Sequence, residues 1–145
     1  MSLPFSFMRL FLALALSAAP VLAQQAPVLQ LNAGMHLIRA EVAADYATRA
    51  TGLMHRSAMP SNAGMLFIFD EATTHCMWMK NTLIPLSVAF IDERGGIINV
   101  EEMQPQTEDS HCASRPARYA LEMNRGWFAA RGIKPGTRIG GIPGT

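Results

Sequence analysis

Leu86-Ser87-Val88-Ala89-Phe90-Ile91-Asp92-Glu93-Arg94-Gly95-Gly96-Ile97-Ile98-Asn99-Val100-Glu101-Glu102-Met103 reads as two strands and the turn between them. Residues 86–92 and 97–103 are rich in β-branched and aliphatic side chains, which pack well on a pleated surface. Gly95 and Gly96 supply the positive φ that a tight hairpin needs. Upstream, Met65-Leu66-Phe67-Ile68-Phe69 is a continuous apolar run of the length of a core strand. Residues 73–80 are predicted to add another strand. Earlier still, Met35-His36-Leu37-Ile38-Arg39-Ala40-Glu41-Val42 alternates polar with aliphatic residues, as a half-buried strand does. The period then changes. Residues 43–54 carry helical spacing, with Asp45 as a favourable charge near the start and Gly52 near the end.

Downstream of the hairpin, residues 104–115 are polar and predict a surface loop. Arg118-Tyr119-Ala120-Leu121-Glu122-Met123 predicts a strand, Asn124 a cap for a short helix through Ala130, and residues 137–139 a last short strand. Six or seven short strands with two short helices predict a mainly β domain, either a β-sandwich or barrel-like. There is no Gly-rich phosphate loop and no strand–helix alternation of a nucleotide-binding fold. The expected organisation is a lead-in over 24–34, one domain over 35–141 and a tail over 142–145.

The amino terminus sets the compartment. Residues 1–23 have the three parts of a cleavable export signal: a short region ending in Arg9, an apolar run over 10–19, and Ala23 and Val21 one and three positions before a cut ahead of Gln24. The apolar run is well short of the roughly 20 residues that span a bilayer. The expectation is a periplasmic or secreted protein with no membrane span after cleavage.

Removing that segment takes Arg9 from the 12 Lys+Arg and leaves 11 against 11 Asp+Glu. A neutral chain lacks the basic excess that holds phosphates, so no nucleic acid is expected as a partner. In an oxidising compartment the two cysteines, Cys76 and Cys112, are expected to form a disulfide.

Several segments carry a resemblance. They are Gly52-Leu53-Met54-His55-Arg56, Gly64-Met65-Leu66-Phe67-Ile68-Phe69, Met77-Trp78-Met79-Lys80-Asn81-Thr82-Leu83-Ile84-Pro85-Leu86 and Phe90-Ile91-Asp92. Pro116-Ala117-Arg118-Tyr119-Ala120-Leu121-Glu122-Met123-Asn124 and Gly126-Trp127 complete the set. In this order the chain resembles the family catalogued as domain of unknown function 192. The resemblance implies a small β-rich fold with short helices, often behind an export signal, and implies no activity. One departure stands out: the family usually has Asp after the Ile-Pro-Leu step, where this chain has Ser87.

The residues that could carry chemistry gather around Lys80. On a strand, Cys76, Trp78 and Lys80 share one face and Met77 and Met79 the other. Lys80, one of only two lysines, stands beside Trp78 and before Asn81 and Thr82. This combination suits a polar pocket with an aromatic wall; its plain alternative is a strand-end lysine with Asn81-Thr82 making the turn. Trp78, Lys80, Asn81, Arg56 and His111 are the candidate ligand-binding residues. They lack a catalytic constellation, so the leading expectation is a non-enzymatic binding or accessory module without a cofactor, whose partner is a small molecule or an envelope protein. A rival is a small hydrolase of an envelope polymer, using Lys80 with a carboxylate such as Glu122 or Asp92. A third reading takes the pairs His75-Cys76 and His111-Cys112 as copper or zinc ligands. Adjacent strand residues point to opposite faces, which works against chelation by either pair. Glu122 and Arg118, four apart on one strand side, are expected to form a surface ion pair.

Overall fold

A computed structural model describes Met1 and residues 25–145; the export signal expected over 1–23 otherwise lies outside the described residues. The elements in chain order are β1 (Val28–Ala33), β2 (His36–Ala43), α1 (Tyr46–Thr51), β3 (Ala63–Thr73), β4 (Cys76–Met77), β5 (Leu86–Ile91), β6 (Ile97–Met103), β7 (His111–Cys112), β8 (Ala117–Asn124), α2 (Trp127–Ala130) and β9 (Ile139–Gly140).

Seven strands make one sheet in the order β6-β5-β8-β3-β2-β1-β9, and β4 pairs with β7 in a separate ribbon. The pairing is antiparallel throughout the sheet except between β2 and β3, which run parallel with α1 in the connection. The two ends of the sheet meet. Gly96, beside β6, bridges Arg138, beside β9, and Ile97 N–H donates to the Thr137 carbonyl at 2.9 Å while Ile139 N–H donates to Gly95 at 2.8 Å. The fold is thus mainly β and barrel-like; among the described residues no second large sheet faces the first, so of the two expected forms it is the barrel-like one.

Each face of the sheet carries its own core. Inside the curl, Leu31, Ile38, Leu66, Leu121, Met123 and Ile139 pack around Trp127 and Phe128 of α2. Outside it, Met65, Phe67, Leu86, Val88, Phe90 and Ala120 are covered by Leu53, Met79, Met103 and Ala113 from the connections. Strand parity explains the division, since alternate residues of β3, β5 and β8 point to opposite faces. Both faces of these central strands are buried, which is why their sequences read as unbroken apolar runs.

Four local expectations change. Within the stretch read as lead-in, Val28-Leu29-Gln30-Leu31-Asn32-Ala33 forms β1, with Leu31 and Ala33 buried. The strand expected over 73–80 is only the two residues of β4, because Met79 and Thr82 leave the ribbon to bond the loop, with Met79 N–H donating to Thr107 and Gln106 N–H to Thr82. That loop, expected to be irregular, contains β7. Asn124 does not cap α2, whose first position is preceded by Gly126 in the left-handed region; the Asn124 amide donates instead to the carbonyls of Met59 and Pro60. Asp45 does cap α1, accepting from Thr48 N–H at 2.9 Å.

Ser87 ties the inner core together. Its hydroxyl is fully buried, donates to Glu102 at 2.7 Å and accepts from Gly126 N–H at 2.8 Å. Where the resemblance leads one to expect an Asp, the carboxylate is thus supplied from the neighbouring strand β6.

Candidate functional site

The β4–β7 ribbon and helix α1 stand over the outer face of the sheet and leave a cleft between them. Cys76 and Cys112 lie directly opposite each other in the ribbon and are joined by the expected disulfide. The sulfurs bond each other, so the four-ligand set of the two His-Cys pairs is not formed. Among the described residues, no group of three or more His, Cys, Asp or Glu side chains is arranged to hold a metal ion.

The cleft encloses about 590 Å³, within the size range of small-molecule sites. Phe67 and Phe69 from β3 form its floor, Tyr46 and Arg49 come from α1, and His75 and Trp78 stand on either side of β4. The His75 ring stacks on Phe69 with centroids 3.7 Å apart, held by a hydrogen bond from Nε2 to the Glu71 carbonyl at 2.8 Å. Arg49 is anchored from behind. Its guanidinium donates to the carbonyls of Ala44 and Ile68 and to Asp70 at 2.9 Å.

Adjoining the cleft, and sharing Arg49, Ala50, Phe67, Met77 and Trp78 with it, is a chamber of about 30 Å³, which is large enough for a water. Thr82 and Glu122 line this chamber. Glu122 sits in the middle of β8, opposite Met65 of β3 on one side and Val88 of β5 on the other. It is only 4% exposed. Among the described residues no hydrogen bond or ion pair holds its carboxyl, and burial alone pushes its pKa from 4.5 up to about 8. The expected surface ion pair with Arg118 does not form: β8 is central, so Glu122 is covered, while Arg118 donates to the Asp70 carbonyl.

Of the five candidate ligand residues, Trp78 alone lines the cleft. Lys80 is exposed and places Nζ 5.2 Å from the centre of the Trp78 indole, outside the cleft. Asn81 adopts a positive φ of 53° in the turn, and its carbonyl accepts from His55 N–H at 2.9 Å. Arg56 pairs with Glu41 through bonds of 2.5 and 2.7 Å, in a separate hollow beyond Gly52. That pair holds the Glu41 carboxyl below its ordinary pKa, chiefly by hydrogen bonding. His111 sits in β7 opposite Met77. Lys80 and Glu122 therefore do not share a chamber, and Asp92 is taken up in the hairpin, accepting from Arg94 and Gly96 N–H at 2.9 Å.

The residue that sequence reasoning passed over is Glu122 as a buried group. Its signal was a single carboxylate inside an otherwise apolar strand, Tyr119-Ala120-Leu121-Glu122-Met123, of the type that is buried on both faces.

No described helix is long and apolar enough to cross a membrane. No curated protein matches the chain. Similar crystal structures include two of bacterial proteins. One, from Sinorhizobium meliloti and described as a candidate transcription regulator, has a TM-score of 0.78 and 34% identity, covering 82% of this chain and 97% of that one. The other, a protein of unknown function from Novosphingobium aromaticivorans, has a TM-score of 0.74 and 32% identity, covering 88% of this chain and 93% of that one. A family model matches residues 28–141, and the chain belongs to that family, DUF192, described as Uncharacterized ACR.

Proposed function

We propose that this protein is an exported binding module that receives a small ligand in the cleft between α1 and the β4–β7 ribbon. The observation that carries the reading is Glu122, a residue only 4% exposed whose carboxyl has no hydrogen-bond or ion-pair partner among the described residues, beside an aromatic cleft. Burying a carboxyl costs stability unless something uses it, and convergent polar groups at the base of an apolar pocket are what ligand sites present. Export is supported by the disulfide and by the signal-like segment ahead of Gln24.

The hydrolytic reading draws no support from this arrangement, since Lys80 and Glu122 are separated by the wall of the cleft. Regulation of transcription by DNA contact draws none either, given the balanced charge after cleavage. The test is a fragment screen by NMR on the protein beginning at Gln24, repeated with Trp78→Ala. Fragments that shift amides of Ala50, Phe69 and Met77, and lose affinity in the variant, support the reading. Hits scattered over the surface, or unaffected by the substitution, sink it.

A further inference from the structure

We infer that the cleft selects a primary ammonium group carried on an apolar body, with the ammonium seated in the inner chamber between Glu122 and Thr82. This rests on the reading of the cleft as a binding site and adds the chemistry of its ligand.

The charges decide the sign of the ligand. Among the described residues Arg49 is the one Arg or Lys side chain lining the cleft, and its guanidinium is already bonded to Asp70 and to two carbonyls. With that pair balanced, Glu71 at the mouth and Glu122 at the base remain. An anionic ligand would find no unpaired Arg or Lys among the described residues that line the cleft. A purely apolar ligand would leave Glu122 as it is, covered and unpartnered, and would add to the burial that already disfavours it.

The walls point the same way. Tyr46, Phe67, Phe69, His75 and Trp78 all line the cleft, and an aromatic ring attracts cations to its face. Trp78 already holds one, the Lys80 ammonium.

Size then narrows the class. A chamber of about 30 Å³ has room for a water-sized group, which fits –NH₃⁺ and excludes a trimethylated head. An ammonium offers three N–H donors. Glu122 accepts there, and Thr82, whose own hydroxyl donates to the Lys80 carbonyl at 3.2 Å, keeps lone pairs to accept a second. The outer cleft of about 590 Å³ takes the apolar body.

The groups around Glu122 make binding proton-coupled. Met65 of β3 and Val88 of β5 flank it, Met77 and Trp78 come from the ribbon side, and Arg49 of α1, bonded to Asp70, is the other charged side chain lining the chamber. A carboxyl that is neutral when the site is empty must release its proton to pair with the ammonium, so affinity rises with pH up to about 8.

The experiment titrates the protein beginning at Gln24 with 2-phenylethylamine, 2-phenylethanol and phenylacetate, following heat and the fluorescence of the Trp127→Phe protein, in which Trp78 is the remaining tryptophan. The amine should bind at least about tenfold more tightly than the alcohol at pH 8 and gain up to about tenfold between pH 6 and 7. At pH 7 it should release close to one proton, read from buffers of different ionisation heat. Glu122→Gln, its fold checked by thermal melting, should bring the amine down to the level of the alcohol and abolish proton release. Equal binding of amine and alcohol, preference for the acid, or no proton release by the native protein would overturn the ammonium inference and leave the cleft reading intact. No response to any of the three probes would count against both.

Discussion

Glu122 on β8 stands directly across from Met65 on β3, so the one carboxylate in the middle of the sheet faces a thioether rather than a cation. That pairing extends across the outer face as a row: Glu41, Met65, Glu122, Val88 and Glu101 occupy successive strands. Among the described residues only the end members have polar partners, Arg56 for Glu41 and Asn99 for Glu101.

The pH dependence of stability follows from this. In the unfolded chain Glu122 ionises near 4.5, whereas in the native state it keeps its proton until about 8. Between those values the native state binds more protons, so stability falls as pH rises. The full contribution is present below 4.5 and is lost by the time pH has passed 8, a change on the order of 5 kcal/mol. Urea unfolding of the native protein and of Glu122→Gln at pH 5, 7 and 9 checks it. The difference between the two should grow with pH in favour of the variant; parallel curves would contradict it.

The Arg56–Glu41 pair predicts the opposite slope at lower pH. Here the folded carboxyl titrates below its ordinary 4.5, so the pair's contribution is present above 4.5 and disappears as acid protonates Glu41. Both side chains are about one-third exposed, which limits the pair to about 0.5–1 kcal/mol. Arg56→Ala should lose that amount at pH 7 and match the native protein once Glu41 is protonated, measured by denaturant unfolding.

Reduction of Cys76–Cys112 should weaken the fold. The bond closes a sequence separation of 36 residues, for which chain entropy gives about 4 kcal/mol. Equilibrium unfolding of the intact protein against the Cys76→Ser/Cys112→Ser double variant measures it. Because Cys76 lines the cleft, the loss should come with weaker binding of any cleft ligand.

Ser87→Ala should cost about 1–3 kcal/mol, because it leaves Gly126 N–H without its buried acceptor and Glu102 without its donor. Ser87→Asp should restore the acceptor for Gly126 but set a second carboxylate against Glu102. Its stability should therefore exceed that of Ser87→Ala only when Glu102 is also changed to Gln, a comparison that thermal melting settles.

Much of the framework was legible in the sequence because it rests on local rules. The hairpin at 92–96, the β2 alternation and the favourable charge of Asp45 near the start of α1 each follow from a few neighbouring residues, and the disulfide from two cysteines in a chain expected to be exported. The missed parts depend on partners far along the chain. β1 alternates as cleanly as β2, but its register is set by pairing with β2 and β9. β4 is cut short because residues near 105 capture the backbone of Met79 and Thr82. Trp78, Lys80 and Asn81 are adjacent in sequence yet meet different surroundings, because the chain turns at Asn81. Glu122 became visible as a site only once the strand order made β8 central.

The contact between Gly96 and Arg138 has one more implication. An open seven-stranded sheet would present two rows of unpaired amides, each a template on which another chain could add a strand. Here each end partly satisfies the other through the hydrogen bonds of Thr137 and Ile139. The segment carrying Thr137 and Ile139 thus guards against polymerisation: trimming it would expose both templates at once and would also take Ile139 and Ile142 out of the inner core.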